Sequence, residues 1–556
     1  MTPLLHHIRQ SIIGEQTPIQ TPFGHKPLIY ADYTASGRSL HMIEDFIQQR
    51  VLPYYANTHT ETSFTGAQSS RLREEAREQI RTAVNGTKED QVIFCGSGAT
   101  AAIHKLIDIL NLKLPADLNE RYQLEQQIPA DARPVDFIGP YEHHSNELPW
   151  RESIADLIVI PLNQQGQLDQ RALEIELEKH QHRSLLIGSF SAASNVTGVK
   201  TDADAVSRLL HRFGAYSFWD YAAAGPYMPI DMTGEDNALG NSSKDAVFVS
   251  PHKYIGGPGT PGVLIVKQSV MTNSVPAMPG GGTVVYVTPE DHRYADNPER
   301  REEGGTPAIV ESIRAGLVFK LQQQVGTDRI EQLEHDFVER ATQRWSKNQS
   351  IEILGDISAP RLSITSLRIK YQGKDLHYGF VVALLNDLFG IQARGGCSCA
   401  GPYGHHLLGM SLDYSRALEQ ELLQGNMVLR PGWVRLNFNY FIDENTFEYL
   451  LRAVELIAEH GWRLLPYYRY LTTQGLWCYQ EQAMQLPTTL DDFVTVLPTR
   501  HDPESSDVLP KYLTQAEQEL TADHAEMTRY SLTLNESADA LRWFALPQDI
   551  EEPTRK

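Results

Sequence analysis

Four cysteines in 556 residues, Cys95, Cys397, Cys399 and Cys478, are too few to staple a fold together. The chain must hold itself by a buried core, as proteins of a reducing compartment do. Basic residues are also short: 49 Lys and Arg stand against 70 Asp and Glu, for a net charge of −21. No basic run or stripe occurs, which argues against a nucleic-acid partner. No apolar stretch approaches the roughly 18 residues that crossing a bilayer demands. The N-terminal MTPLLHHIRQSIIGEQ lacks the apolar centre of a secretory signal. The expectation is a cytoplasmic protein without a membrane or nucleic-acid partner. What is present is ordinary for a soluble globular chain, 41% hydrophobic and 21% charged, and too long for one ordinary domain.

The most informative stretch is SPHKYIGGPGTPG, residues 250–262. The apolar run 246–249 reads as a buried strand leading into it. Ser250, His252 and Lys253 follow, and then a loop of glycine and proline that continues neither strand nor helix. A lysine at a strand end, beside a loop that lets another backbone come close, is suited to forming a Schiff base. Pyridoxal phosphate chemistry asks in addition for an acid facing the pyridine nitrogen and an anion hole for the phosphate. A surface lysine in a turn is the plainer alternative.

The rest of the chain bears on that choice. A helix is expected over about 70–85, with Leu72, Ala76, Ile80 and Val84 on one face. Residues 91–95 read as a strand and 99–110 as a helix, joined by Gly96-Ser97-Gly98. That join has the makings of a phosphate cup, with free amides at a helix N-terminus and hydroxyls from Ser97 and Thr100. Residues 111–134 are polar and read as a surface insertion. Strand-like 137–140 ends at YEHHSNELPW, strand 185–190 at SAASNVTG, and strand 216–220 at Asp220, with a helix over about 202–213 between the last two. This alternation predicts βαβ units and a mostly parallel sheet. His143, Asn195, Asp220 and Lys253 all fall at carboxyl ends of strands, where such sheets gather ligands.

Here the chain resembles a known family, the class V aminotransferase group of fold-type I pyridoxal phosphate enzymes. Within it the nearest branch is that of cysteine desulfurases and selenocysteine lyases. The motifs are SGAT (97–100), EHHSN (142–146), SNVTG (194–198), Asp220 to Ala223, SPHK (250–253), GGGT (280–283), EGGTP (303–307), RGGCSC (394–399) and WVRLN (433–437). The resemblance implies an α/β chain of four parts. An N-terminal arm, 1–29, leads to a large cofactor domain, 30–326, with a seven-stranded, mostly parallel sheet and helices on both faces. A smaller α+β domain, 327–464, and an acidic extension, 465–556, follow.

It also implies roles. Lys253 is the Schiff-base lysine, and Ala99, Thr100, Ser250 and His252 hold the phosphate. His143 stacks on the pyridine ring and Asp220 pairs with its nitrogen. Thr306 reaches the phosphate of a neighbouring subunit, which implies a homodimer. Asn195 contacts cofactor and substrate, and Arg435 binds the substrate carboxylate, a bidentate task that suits a guanidinium. Two positions depart from the pattern: Ala223 stands where the family often has glutamine, and Ala101 where desulfurases have glutamate.

RGGCSC bears on the reaction. Cys399 sits where desulfurases keep a nucleophile that takes sulfur from a cysteine-like substrate, releasing alanine and leaving a persulfide for a sulfur-acceptor protein. Arg394 and His405 or His406 are candidates to favour its thiolate. Three readings stay open: a nucleophile, two small loop residues without a role, and a metal-binding C-x-C lacking a second pair. Other class V reactions, with Cys399 idle, also stay open, as does a non-catalytic scaffold. Residues 501–556 carry 12 acidic and 5 basic residues and read as a solvated or partner-docking tail.

Overall fold

A computed structural model describes residues 3–551 apart from 59, 483, 485, 496–504 and 525. Seven strands build its central sheet: β1 (Asp90–Cys95), β2 (Val135–Ile138), β3 (Asp156–Val159), β4 (Leu186–Ser191), β5 (Tyr216–Asp220), β6 (Ala246–Val249) and β7 (Gly262–Lys267). They lie in the order β1-β7-β6-β5-β4-β2-β3. All point the same way except β7, which runs antiparallel between β6 and β1.

The strands read as unbroken apolar runs because both sheet faces are covered. Side chains alternate across a strand, and the alternation splits them between two cores. Val247, Val249, Val263 and Ile265 face one core, while Ala246, Phe248, Leu264 and Val266 face the other. On the first face lie α1 (Phe64–Ala83), α3 (Ala203–Arg212) and α4 (Ile309–Val325), and on the second α2 (Gly98–Ile109). Helix α1 begins six residues before the expected Ser70, because Ser63 caps it by accepting the Gly66 amide at 3.2 Å.

A second core surrounds β8 (Ile351–Ile353), β9 (Ile364–Tyr371), β10 (Arg394–Gly396) and β11 (Trp433–Asn437), antiparallel in the order β8-β9-β11-β10. Three helices supply its apolar faces: α5 (Thr327–Trp345), α6 (Tyr378–Phe389) and, beyond two short helices introduced next, α9 (Glu444–His460). Between β10 and β11 the chain makes α7 (Gly401–Leu407) and α8 (Leu412–Leu423). The N-terminal segment joins this core, since Ile29–Tyr30 pairs in parallel with Ile391–Gln392.

The C-terminal segment packs on its own chain. In α10 (Leu509–Thr521), Leu509, Ala516 and Leu520 are buried in the second core, as are Phe544, Ala545, Leu546 and Ile550 further on. Segment 111–134 carries a short helix, Ala116–Tyr122, with no buried residue, as a surface insertion should.

Where β7 starts, Gly262 lies against the backbone of Gly98 with no room for a side chain. A Cβ on Gly262 would lie 2.0 Å from the Gly98 carbonyl oxygen, inside any tolerable contact. We expect Gly262→Ala to destabilise the chain by roughly 1–3 kcal/mol, the usual cost of overpacking a filled site, read as a lower urea midpoint. An unchanged midpoint would show that the two backbones do not touch.

Candidate active site

The loops that leave β1, β4, β5 and β6 at their carboxyl ends surround one cavity of about 230 Å³. Ala99, Thr100, His143, Asn195, Asp220, Ser250, His252, Lys253, Cys399 and Arg435 all line it. Thr306 does not; it stands exposed on the loop ahead of α4.

One end of the cavity is built for an anion. The first turn of α2 enters it with the positive end of the helix dipole, and Gly98 adopts φ +58°, a turn that glycine makes freely. The Ala99 amide donates to Ser250 Oγ at 2.8 Å, which fixes that hydroxyl against the helix end. Thr100 Oγ1 donates to Ser145 Oγ at 2.7 Å, so the loop after β2 closes the same cup. His252 is pushed down to about 4 by burial and then by the charge of Lys253.

In the middle stand Lys253, Asp220 and His143. Burial pushes the Lys253 amine down to about 8, against the support of Asp220, while Arg435 and Arg394 press the same way as burial. Its Nζ has no hydrogen bond or ion pair among the described residues. Asp220, 5% exposed, accepts the Ala222 amide at 2.7 Å. Burial raises its carboxyl, and that amide and Lys253 pull the other way. His143 is pushed down to about 3, first by burial and then by Lys253. Its Nδ1 accepts the Ser145 amide at 3.1 Å, so the neutral ring carries its proton on Nε2. His144, its neighbour, faces away and accepts the Gly401 amide on Nε2 at 2.9 Å.

At the far end Arg435 is 3% exposed. It donates to the Asn195 carbonyl and to Asp32 Oδ1, both at 2.9 Å. The other oxygen of Asp32 accepts Arg394 Nε at 3.1 Å. Asp32 therefore joins the two arginines, which sit opposite each other on β10 and β11. Neither Asp32 nor Ser145 was expected here. Ser398 and Cys399 both adopt left-handed backbone, φ +54° and +56°. For non-glycine residues each costs on the order of 1 kcal/mol or more. Two bonds from outside the loop hold them there: Asn195 Nδ2 donates to the Ser398 carbonyl at 2.8 Å, and the His144 amide to that of Cys399 at 2.9 Å. The Cys399 side of the loop is exposed toward the cavity. Arg394 is engaged with Asp32, and His405 and His406 lie exposed on α7, outside the cavity wall, so these histidines do not serve the thiol.

This set fits pyridoxal phosphate. An amine without a partner, a buried carboxyl, a neutral aromatic ring and an anion cup line the same space, and the buried Asn195 Oδ1 has no partner among the described residues. Comparison with known proteins agrees. The family model "Aminotransferase class-V" matches residues 29–417. A Streptomyces coelicolor protein named "Probable cysteine desulfurase" is 28% identical over 410 residues, 72% of this chain and 91% of its own. One of the same name from Halalkalibacterium halodurans is 28% identical over 381 residues, 68% and 85% of the two chains. Among solved structures, a Thermococcus onnurineus cysteine desulfurase superposes with TM-score 0.62 at 22% identity, covering 78% of this chain and 95% of that one. An Escherichia coli cysteine desulfurase gives 0.60 at 20% identity, covering 79% and 97%. These likenesses establish the α/β architecture of fold type I, with its mostly parallel sheet.

In cofactor-free protein the Lys253 amine should lose its proton near pH 8, against about 10.4 for an exposed lysine. Acetic anhydride labelling, resolved peptide by peptide and followed from neutral to alkaline pH, reads the midpoint. Asp220→Asn should lower it further, because it removes the carboxylate that supports the charged form. A wild-type midpoint as high as that of exposed lysines would show a solvated amine.

Proposed function

The chain belongs to the class V aminotransferase family, and on that premise we propose that it is a pyridoxal-phosphate-dependent cysteine desulfurase of the selenocysteine-lyase-like branch. It takes sulfur or selenium from a cysteine-like amino acid, releases alanine, and keeps the chalcogen on Cys399. The observation that carries this reading is the position of Cys399, exposed on the wall of the cavity that Lys253 and Asp220 also line.

When bound, pyridoxal phosphate supplies the electron sink that lets an amino acid lose its Cα proton. Ala99, Thr100, Ser250 and His252 would hold its phosphate, with Thr306 of the second protomer completing the cup in a homodimer. His143 would lie on the ring, and Asp220 would keep its nitrogen protonated. Arg435 would bind the substrate carboxylate, steered by Asn195. Lys253, neutral for much of the time near pH 8, is suited to take and return the Cα proton. The Cys399 thiolate then attacks the substrate sulfur. An S–S bond forms as the Cβ–S bond breaks, and the three-carbon skeleton takes up a proton to leave as alanine. A sulfur-acceptor protein in the cytoplasm would discharge the persulfide. The division at residues 29, 326 and 464 belongs to the same proposal.

Ala223 on the cavity wall favours a second reading within the family. A methyl group there offers no hydrogen bond where the family often has a glutamine, and Ala101 stands where desulfurases have a glutamate. Transamination, epimerisation or another C–S cleavage would then proceed with Cys399 idle.

Two experiments separate these. Cys399→Ser should cut alanine formation from cysteine by about 10² or more, since a hydroxyl is a far poorer nucleophile at neutral pH, with Cys397→Ser milder. Wild-type protein should gain one sulfur in intact mass. No added mass, with full activity of Cys399→Ser on another amino acid, would leave the second reading. Asp220→Asn should slow solvent deuterium entry at Cα by roughly 10²; an unchanged rate would place the pyridine-facing acid elsewhere.

A further inference from the structure

The C-terminal segment comes within reach of the cysteine loop, although residues 418–556 lie beyond the family match. Four bonds fasten residues 541–545, and each ends on or beside an element that flanks the loop. Trp543 Nε1 donates to the Leu429 carbonyl at 3.0 Å, four residues ahead of β11 and its Arg435. Tyr414 in α8, the second helix after the cysteines, donates its hydroxyl to the Leu541 carbonyl at 2.7 Å. Asp375, at the approach to α6, exchanges backbone bonds with this segment: its amide donates to Trp543 and its carbonyl accepts from Ala545, at 3.3 and 2.9 Å.

The Trp543 ring carries the contact inward. It lies nearly parallel to Tyr378, at 9° and 6.1 Å between centroids, and against His377 at 5.3 Å. Tyr378 is also pressed on bare backbone. A Cβ on Gly395 or on Gly432 would lie 2.8 Å from the Tyr378 ring. Gly395 belongs to β10, the strand that delivers Arg394 to the cavity and leads into Cys399; Gly432 immediately precedes β11.

We infer that Trp543 is a positioning residue for the sulfur-accepting cysteine: through Tyr378 it sets where β10, and hence the Cys399 loop, stands over the cavity. The loop needs such support. Among the described residues its left-handed pair is held by two bonds, from the Asn195 side-chain amide and the His144 backbone amide, and a groove of about 320 Å³ opens between Trp543, Tyr414 and Gly432. Shortening Trp543 would widen that groove and free Tyr378 to leave Gly395. Lys253, Asp220 and the phosphate cup stand on the central sheet and, among the described residues, take no contact from this segment, while Arg435 keeps its own bonds to Asp32 and the Asn195 carbonyl, so a fault here reaches sulfur transfer far more than proton transfer.

That inference rests on the desulfurase reading, and its test separates the two. Trp543→Ala should slow persulfide formation on Cys399 about tenfold or more, as an ångström of misplacement does to oriented groups. Deuterium exchange at Cα should stay within about twofold, and Trp543→Phe, which keeps a ring on Tyr378, should restore most of the loss. Should Trp543→Ala not fold, Tyr414→Phe removes one fastening alone and should show the same split more weakly. The inference is overturned if both rates fall together or neither moves. Iodoacetamide labelling of Cys399 in cofactor-free protein, resolved by peptide, reads the loop without any turnover. It should change at least threefold in Trp543→Ala and little in Trp543→Phe. If wild-type protein gains no sulfur while this labelling responds, the desulfurase reading fails and the positioning role stands. If sulfur is gained and labelling is indifferent, the positioning role fails alone.

Discussion

Gly98 and Gly262 meet backbone to backbone, and that contact ties together two of the loops that wall the cavity. Gly262 opens β7, the one antiparallel strand of the large sheet, and its amide donates to the Gly96 carbonyl at 2.8 Å. The same chain has just passed Ser250, which accepts the Ala99 amide. The lysine loop is thereby bonded at both ends to the loop that opens α2. Lys253 and the helix N-terminus cannot drift apart without breaking strand pairing on both sides of β7. A third loop is sewn to the second: the Gly37 amide donates to the His252 carbonyl at 2.8 Å. That bond brings Thr34 and Ala35 to the cavity wall, with Asp32 just behind them.

Charge in the cavity is allotted unevenly, and the unevenness is chemical. Lys253, Arg394 and Arg435 share it with two carboxylates, Asp32 and Asp220. Asp32 is taken up by the arginines, and Asp220 by a backbone amide. The amine is left with neighbours but no bonded partner among the described residues. For a buried ammonium, loss of water outweighs a carboxylate that is near but not bonded, which is why this one lysine holds its proton weakly. His143 and His252 follow the same rule and stay neutral, so the walls present flat, uncharged rings beside one reactive amine.

Much of this was legible in the sequence, for a physical reason. Residues at strand ends are displaced little by packing, so His143, Asn195, Asp220 and Lys253 converge as their spacing predicts. Helix starts were less readable, because α1 is set by Ser63 rather than by the apolar spacing that begins at Leu72. Asp32 escaped notice because its partners are 362 and 403 residues away in the chain, a distance that no local pattern reports. The acidic tail misled through its composition. Leu509, Ala516 and Leu520 repeat at helical spacing and face the second core, a period that was there to be counted. Trp543 lies in no periodic element, and its role rests on rings brought together only by the fold.

The strand-like pairing of Asp375 with Phe544 also orders events in time. On a ribosome adding roughly 5–20 residues per second, the cysteines emerge many seconds ahead of the segment that clasps them. Once Arg435 has followed them, the nascent chain owns every residue of the cavity wall yet still lacks the clasp behind it. A chain cut short by a stop codon just ahead of residue 541 would keep that unclasped form for good.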